Sequence, residues 1–181
     1  MTQKRSAKKL IEEALYEPIR LALLKKFETV FSNVLIENTS EGRFSPELRE
    51  ALLKSTLHVI RVETMKPDLT GYYNRTEYST ERLIVEVKAR KLRIKDVYQT
   101  KLYGDVLNAE YAILISSESL TREIREFIKE NHLTHRRLKD VIILKYIKNA
   151  RSTQEKIIME PKVLEDIYSN ILPEFLKTLT E

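Results

Sequence analysis

An apolar run that carries two charges constrains this chain more than any other feature. Leu83, Ile84, Val85 and Val87 read as one buried β-strand, with Glu86 inside it and Lys88 at its end. Side chains two apart on a strand share a face, so this carboxylate and this ammonium point the same way. Burying both is costly unless they pair or hold something else. Upstream, Pro67-Asp68 opens a second β-like run. A hairpin between the two runs sets Asp68 beside Glu86. Two carboxylates and a lysine are then expected to converge on one point. The alternative is a Glu86–Lys88 ion pair on an exposed sheet face, with Asp68 in a turn.

Composition narrows the classes. The 181 residues suit one domain with a proper core. Hydrophobic residues at 42% and charged residues at 33% exclude a disordered chain. No apolar run reaches the roughly 18 residues of a membrane-spanning helix. The basic N-terminus is not followed by a signal-type apolar core, so a cytoplasmic protein without a membrane partner is expected. The absence of cysteine excludes disulfides, thiolate zinc sites and iron–sulfur clusters. With three glycines there is no phosphate-cradling glycine loop.

The net charge of +5 is unevenly placed. Across 88–101, Lys88, Arg90, Lys91, Arg93, Lys95 and Lys101 face only Asp96, which is 6 − 1 = +5. One stretch matches the excess of the whole chain and begins at the candidate site. Taken alone, such a run is most simply a solvated helix face. Beside clustered carboxylates it suits a site that handles a polyanion.

Periodicity places these residues. Apolar positions at 3–4 spacing predict a helix over 7–31, with Pro18 making it two helices or one kinked helix. Glu12, Glu13 and Glu17 lie near that break, mainly as surface. Residues 32–44 read as a loop or a weak strand at 34–36. Ser45-Pro46 starts a short helix to about residue 54. Alternation predicts strands over 56–63, 68–73 and 81–90, with a turn at 74–76. A helix over 94–107 follows, with Val97, Leu102 and Val106 as its apolar face and Gln99 and Tyr103 one turn apart on another. Continuous apolar runs at 111–115 and 141–147 read as strands buried on both faces. Between them, Ser119 caps a helix over 120–131. The polar stretch 148–160 reads as mobile. An amphipathic helix over 163–179, broken near Pro173, closes the core or makes a subunit contact. His132 and His135 have helical spacing but no third ligand nearby, and read as surface. The whole is an α/β chain with a mixed central sheet and helices on both faces.

Pro67-Asp68, then Glu86-Val87-Lys88 on a strand, then Gln99 and Tyr103 on the next helix, resembles the PD-(D/E)XK nuclease superfamily. The order α-β-β-β-α-β is similar to that family's core, over about residues 8–116. The Gln99–Tyr103 pair is similar to the third motif of the RecB-like branch, and the archaeal Holliday-junction resolvases share the same core. The lack of cysteine departs from the iron–sulfur members. The resemblance implies a restriction-endonuclease-like core over about 8–147 within a single domain, with a C-terminal helical extension over about 160–180.

It further implies a metal-dependent nuclease hydrolysing DNA phosphodiester bonds. Mg²⁺ or Mn²⁺ would be held by Asp68, Glu86, the Val87 carbonyl and a glutamate of the first helix, Glu12 or Glu13. Lys88, its pKa depressed by a nearby cation, would orient or deprotonate the water, or steady the phosphate. Gln99 would hold Lys88 or the DNA backbone. Lys91, Arg93, Lys95 and Lys101 would grip flanking phosphates, and Tyr103 would stack on a base or pack in the core. DNA is the implied partner, and a homodimer is common in the family. The competing expectation is a catalytically silent nucleic-acid-binding or assembly protein on the same fold.

Overall fold

The computed structural model describes residues 2–52, 56–133, 141–148 and 155–159. Within them the elements run α1 (Thr2–Glu28), β1 (Ser32–Asn38), α2 (Pro46–Leu52), α3 (Thr56–Met65), β2 (Leu69–Thr76), β3 (Ser79–Lys88), α4 (Ile94–Val106), β4 (Tyr111–Ser116), α5 (Arg122–Glu130), β5 (Val141–Lys148) and β6 (Glu155–Met159). The strands form one six-stranded sheet whose spatial order is the chain order. β1, β2 and β3 pair antiparallel, β3–β4 and β4–β5 pair parallel, and β6 returns antiparallel on β5. The fold is therefore α/β with a mixed sheet, as the periodicity implies.

Helices cover both faces of that sheet. Paired strand residues point to the same side, so Tyr73, opposite Glu81, and Tyr111, opposite Leu83, share a face. α1 lies on it: Tyr16, Ile19, Leu23 and Phe27 form its buried line. The Phe27 ring packs 5.4 Å from Tyr73 and 5.7 Å from Tyr111. Glu86 falls on the other face of β3, where Gln99 of α4 meets it. β4, between two parallel neighbours, is buried along its whole length, as a strand covered on both faces must be.

Several expectations are corrected. The alternating stretch 56–63 is not a strand but lies in α3. The edge of β2 that it would have joined is taken by β1, with Leu35 opposite Tyr72 and Ile36 opposite Gly71, so tertiary pairing overrides its β-branched composition. Pro18 lies inside one continuous α1. A proline there removes one main-chain bond, but Ile19, Leu23 and Phe27 anchor the following turns in the core. Leu102 is 55% exposed, and α4 buries Asp96, Val97, Thr100 and Gly104 instead. α5 is capped by Thr121, whose hydroxyl accepts from the Ile124 N–H, not by Ser119. β2 extends to Thr76, through the expected turn. Part of the polar stretch 148–160 is strand β6. The expected C-terminal helix over 163–179, and with it the subunit contact it suggested, lies outside the described residues. No helix among the described residues is long and apolar enough to cross a membrane.

The β1–β2 contact depends on one glycine. A Cβ on Gly71 would run into the carbonyl oxygen of Leu35 and the Ile36 main chain. Gly71→Ala is therefore expected to lower stability by about 2–3 kcal/mol, read as a shift in the urea midpoint. A wild-type midpoint would mean that β1 moves aside freely.

Candidate active site

The site arises because β2 ends before β3 does. Their pairing stops at Leu69 opposite Val85, while β3 continues through Glu86, Val87 and Lys88 beside β4. Along those last residues the β2-side edge of β3 has no strand to bond. Asp68 takes the place: the Val87 N–H donates to its Oδ2 at 2.7 Å. Both main-chain groups of a strand residue face one edge, so the Val87 carbonyl also turns toward Asp68. The chain enters β2 from Lys66, at φ 53°, and Pro67. Thr39 pins this entry. Its N–H donates to the Asp68 carbonyl at 3.0 Å, and its hydroxyl lies 2.7 Å from the Pro67 carbonyl and 2.9 Å from the Thr70 hydroxyl. On the side-chain side, the Tyr16 hydroxyl donates to Asp68 Oδ1 at 2.8 Å.

Lys88 draws the cluster together. Its Nζ lies 3.2 Å from Glu86 Oε2, 3.4 Å from Asp68 Oδ2 and 3.5 Å from Glu12 Oε1. The second Glu12 oxygen accepts from the Ala89 N–H at 3.3 Å. Gln99 Nε2 donates to Glu86 Oε2 at 3.0 Å and also contacts the Tyr103 hydroxyl at 3.3 Å. The remaining Glu86 oxygen, Oε1, is buried with no hydrogen-bond partner.

Three carboxylates facing one ammonium leave an excess of negative charge when all are ionised. The cost appears on Glu86, whose side chain is only 2% exposed. Burial first, and Asp68 next, push its pKa up to about 8, with Lys88 offsetting only part of this. For Lys88, burial works to lower the pKa, but Asp68, Glu86 and Glu12 outweigh it and hold the ammonium above its ordinary range. The expected depression is tied to a bound cation; among the carboxylates alone, Lys88 is held as an ammonium. Burial, then Asp68, raises the Tyr16 pKa, so its hydroxyl keeps the proton it donates.

The structure thus brings together Asp68, Glu86, Val87, Lys88, Gln99, Tyr103 and, of the two candidate glutamates, Glu12. Glu13 points elsewhere, into a cleft of about 310 Å³ that it lines with Asn38, Ser40, Glu41 and Arg43. Gln99 holds Glu86, not Lys88, and Tyr103 is half-buried as its neighbour. The basic run divides. Arg90 forms two bonds to Asp96, at 2.7 and 2.8 Å. Burial works to raise the Asp96 pKa, but Arg90 and the Arg93 N–H outweigh it. Lys88 is committed to the carboxylates. Lys91, Arg93 and Lys95 are exposed, and Lys101 is half-buried. His132 is exposed, and His135 lies outside the described residues. Sequence reasoning missed Tyr16. The signal was there, since Tyr16 stands one helical turn after Glu12 and so on the same side of α1.

Among the described residues, no three His, Asp or Glu side chains enclose an ion-sized point as they stand. The Lys88 ammonium sits among the carboxylates instead. The donors nonetheless fit a hard divalent ion. Mg²⁺ takes one or two carboxylates and keeps several waters. Glu86 Oε1 is a buried oxygen without a donor, and oxygen donors of this kind are the type a hard divalent ion takes. The chain matches no family model, no curated protein and no solved structure.

The raised Glu86 pKa has a defined sign in stability. Between about pH 4.5 and 8 the folded protein holds a proton that the unfolded chain releases, so stability falls as pH rises through that window. Glu86→Gln is expected to remove this fall, by at most about 1.4 kcal/mol per pH unit. Melting curves in EDTA should show the variant more stable than wild type at pH 8 and equal to it near pH 5. Parallel curves at both pH values would contradict the charge assignment.

Proposed function

We propose that this chain is a metal-dependent nuclease that hydrolyses DNA phosphodiester bonds on a restriction-endonuclease-like core. One observation carries the reading: the carboxylates of Asp68 and Glu86 and the ammonium of Lys88 meet where β2 stops short of β3, with Glu86 Oε1 buried and unpaired. The succession of α1, three antiparallel strands, α4 and a parallel β4 supports the core, with α2 and α3 inserted between the first two strands.

Asp68, Glu86 and the Val87 carbonyl would hold Mg²⁺ or Mn²⁺, with Glu12 at its margin. Bound there, the ion supplies a more acidic water and neutralises charge developing on the phosphate. The protein does the rest. Tyr16 and the Val87 N–H fix the Asp68 carboxylate in one orientation. Gln99 fixes Glu86. Lys88 would steady a non-bridging phosphate oxygen, or orient or deprotonate the attacking water. Lys91, Arg93, Lys95 and Lys101 contact flanking phosphates, which makes binding fall with salt.

A second reading is a silent nucleic-acid-binding protein. The observation in its favour is that Lys88 already has three carboxylate partners. Cleavage of labelled single-stranded, duplex and branched DNA, and of RNA, in Mg²⁺, Mn²⁺ and EDTA separates the two. The nuclease reading expects a metal-dependent cut. Asp68→Ala, Glu86→Ala and Lys88→Ala should each lower it by about 100-fold or more, and Gln99→Ala by about 10-fold, with binding in EDTA retained. Binding without any cut selects the silent reading. Neither binding nor cutting rejects both.

A further inference from the structure

Arg43 lies on the opposite side of the carboxylate cluster from the basic run, on a loop that the fold holds still. The loop after β1 is tied at both ends: the Gly42 N–H donates to the Thr39 carbonyl at 2.7 Å, and the Ser45 N–H donates to Glu37 Oε2 at 2.7 Å. Gly42 is left-handed at φ 74°, and a Cβ there would come within 2.7 Å of the Glu63 carbonyl oxygen. This geometry presents Arg43 as an exposed guanidinium with no ion pair among the described residues. Its neighbour Arg49 differs, being tied to Glu63 at 2.6 Å and lying over the Phe44 ring.

Register fixes where this loop stands. Asn38 is opposite Leu69, Leu69 opposite Val85, and Lys88 opposite Ser116. One edge of the sheet therefore presents, in order, the Arg43 loop, Asp68, the Glu86–Lys88 end of β3, and the segment carrying Lys91, Arg93 and Lys95. Two interstrand spacings, roughly 10 Å, separate the end of β1, where this loop begins, from the end of β3. That is about three nucleotides at the 3.4 Å rise of a helical strand.

We propose that one nucleic-acid strand crosses this edge at right angles to the β-strands, with Arg43 holding a phosphate on one bank and Lys91, Arg93 and Lys95 holding phosphates on the other. Arg43 itself lines the cleft, together with Glu13, Asn38, Ser40 and Glu41, and the strand passes beside it. Thr39 joins this cleft to the cluster, bonding to the Asp68 carbonyl one residue after Asn38. The strand path rests on the nucleic-acid part of the function proposed above and not on its chemistry.

The test is binding of a fluorescein-labelled single-stranded DNA of mixed sequence, in EDTA, across a salt series. Four proteins are compared: wild type, Arg43→Gln, Arg43→Lys and Arg75→Gln. Arg75 lies at the far end of β2, on the opposite edge of the sheet, so its variant removes the same charge away from the path. Arg43→Gln should bind roughly 3- to 10-fold more weakly at 100 mM salt, with the salt slope reduced by about one. Arg43→Lys should keep the slope, and Arg75→Gln should match wild type. A wild-type slope in Arg43→Gln, or an equal loss in Arg75→Gln, overturns the path and leaves the nuclease reading standing. The expected loss in a protein that cuts nothing in Mg²⁺ or Mn²⁺ supports the path and rejects the chemistry. A wild type that binds no DNA overturns both.

Discussion

The contact on which this architecture turns is that between Lys88 and the three carboxylates of Glu12, Asp68 and Glu86. It joins α1, the entry to β2 and the end of β3, which the Tyr16–Asp68, Val87–Asp68 and Ala89–Glu12 hydrogen bonds also link. Desolvated ion pairs of this kind are weak sources of stability, because removing charges from water offsets much of their attraction. An arrangement with two more carboxylates than cations is poorer still, and its cost falls on Glu86, whose pKa burial and Asp68 raise.

The geometry follows from strand length. Had β2 started two residues earlier, its backbone would have bonded Val87 and closed the edge. Because Lys66 and Pro67 turn the chain there, an aspartate side chain does the bonding and leaves room for further groups. Thr39 and Thr70 then make the turn rigid from beneath. The position of Asp68 is thus set by a main-chain irregularity, held by the hydroxyls of Tyr16, Thr39 and Thr70 and the amides of Thr39 and Val87.

Much of the site was legible in the sequence. An apolar strand bearing Glu86 and Lys88 announces itself, because charges at i and i+2 in a buried run demand partners. Asp68 followed from the hairpin, while helical spacing set Gln99 and Tyr103 on one face and only the family resemblance pointed them at the site. The choice between Glu12 and Glu13 was not legible, since it depends on how far α1 rotates over the sheet. The burial of Ile19 and Leu23 and the packing of Phe27 on Tyr73 and Tyr111 decide that rotation. The stretch 56–63 misled because its alternation is real, while the place beside β2 was already filled by a weaker-looking segment. Arg90 was counted in the basic excess over 88–101 because its bidentate contact to Asp96 is invisible until α4 turns back over β3.

Pro18 divides α1 into two functional lengths. Before it stand Glu12 and Tyr16, which reach the polar cluster, and after it stand the residues that dock on the sheet. A proline leaves the carbonyl four residues earlier without its partner, so a helix bends most easily at that point. Tyr16 couples the two lengths, because it is buried in the same core cluster as Ile19, Leu23 and Phe27 while its hydroxyl holds Asp68, so a bend at the proline would be felt in both.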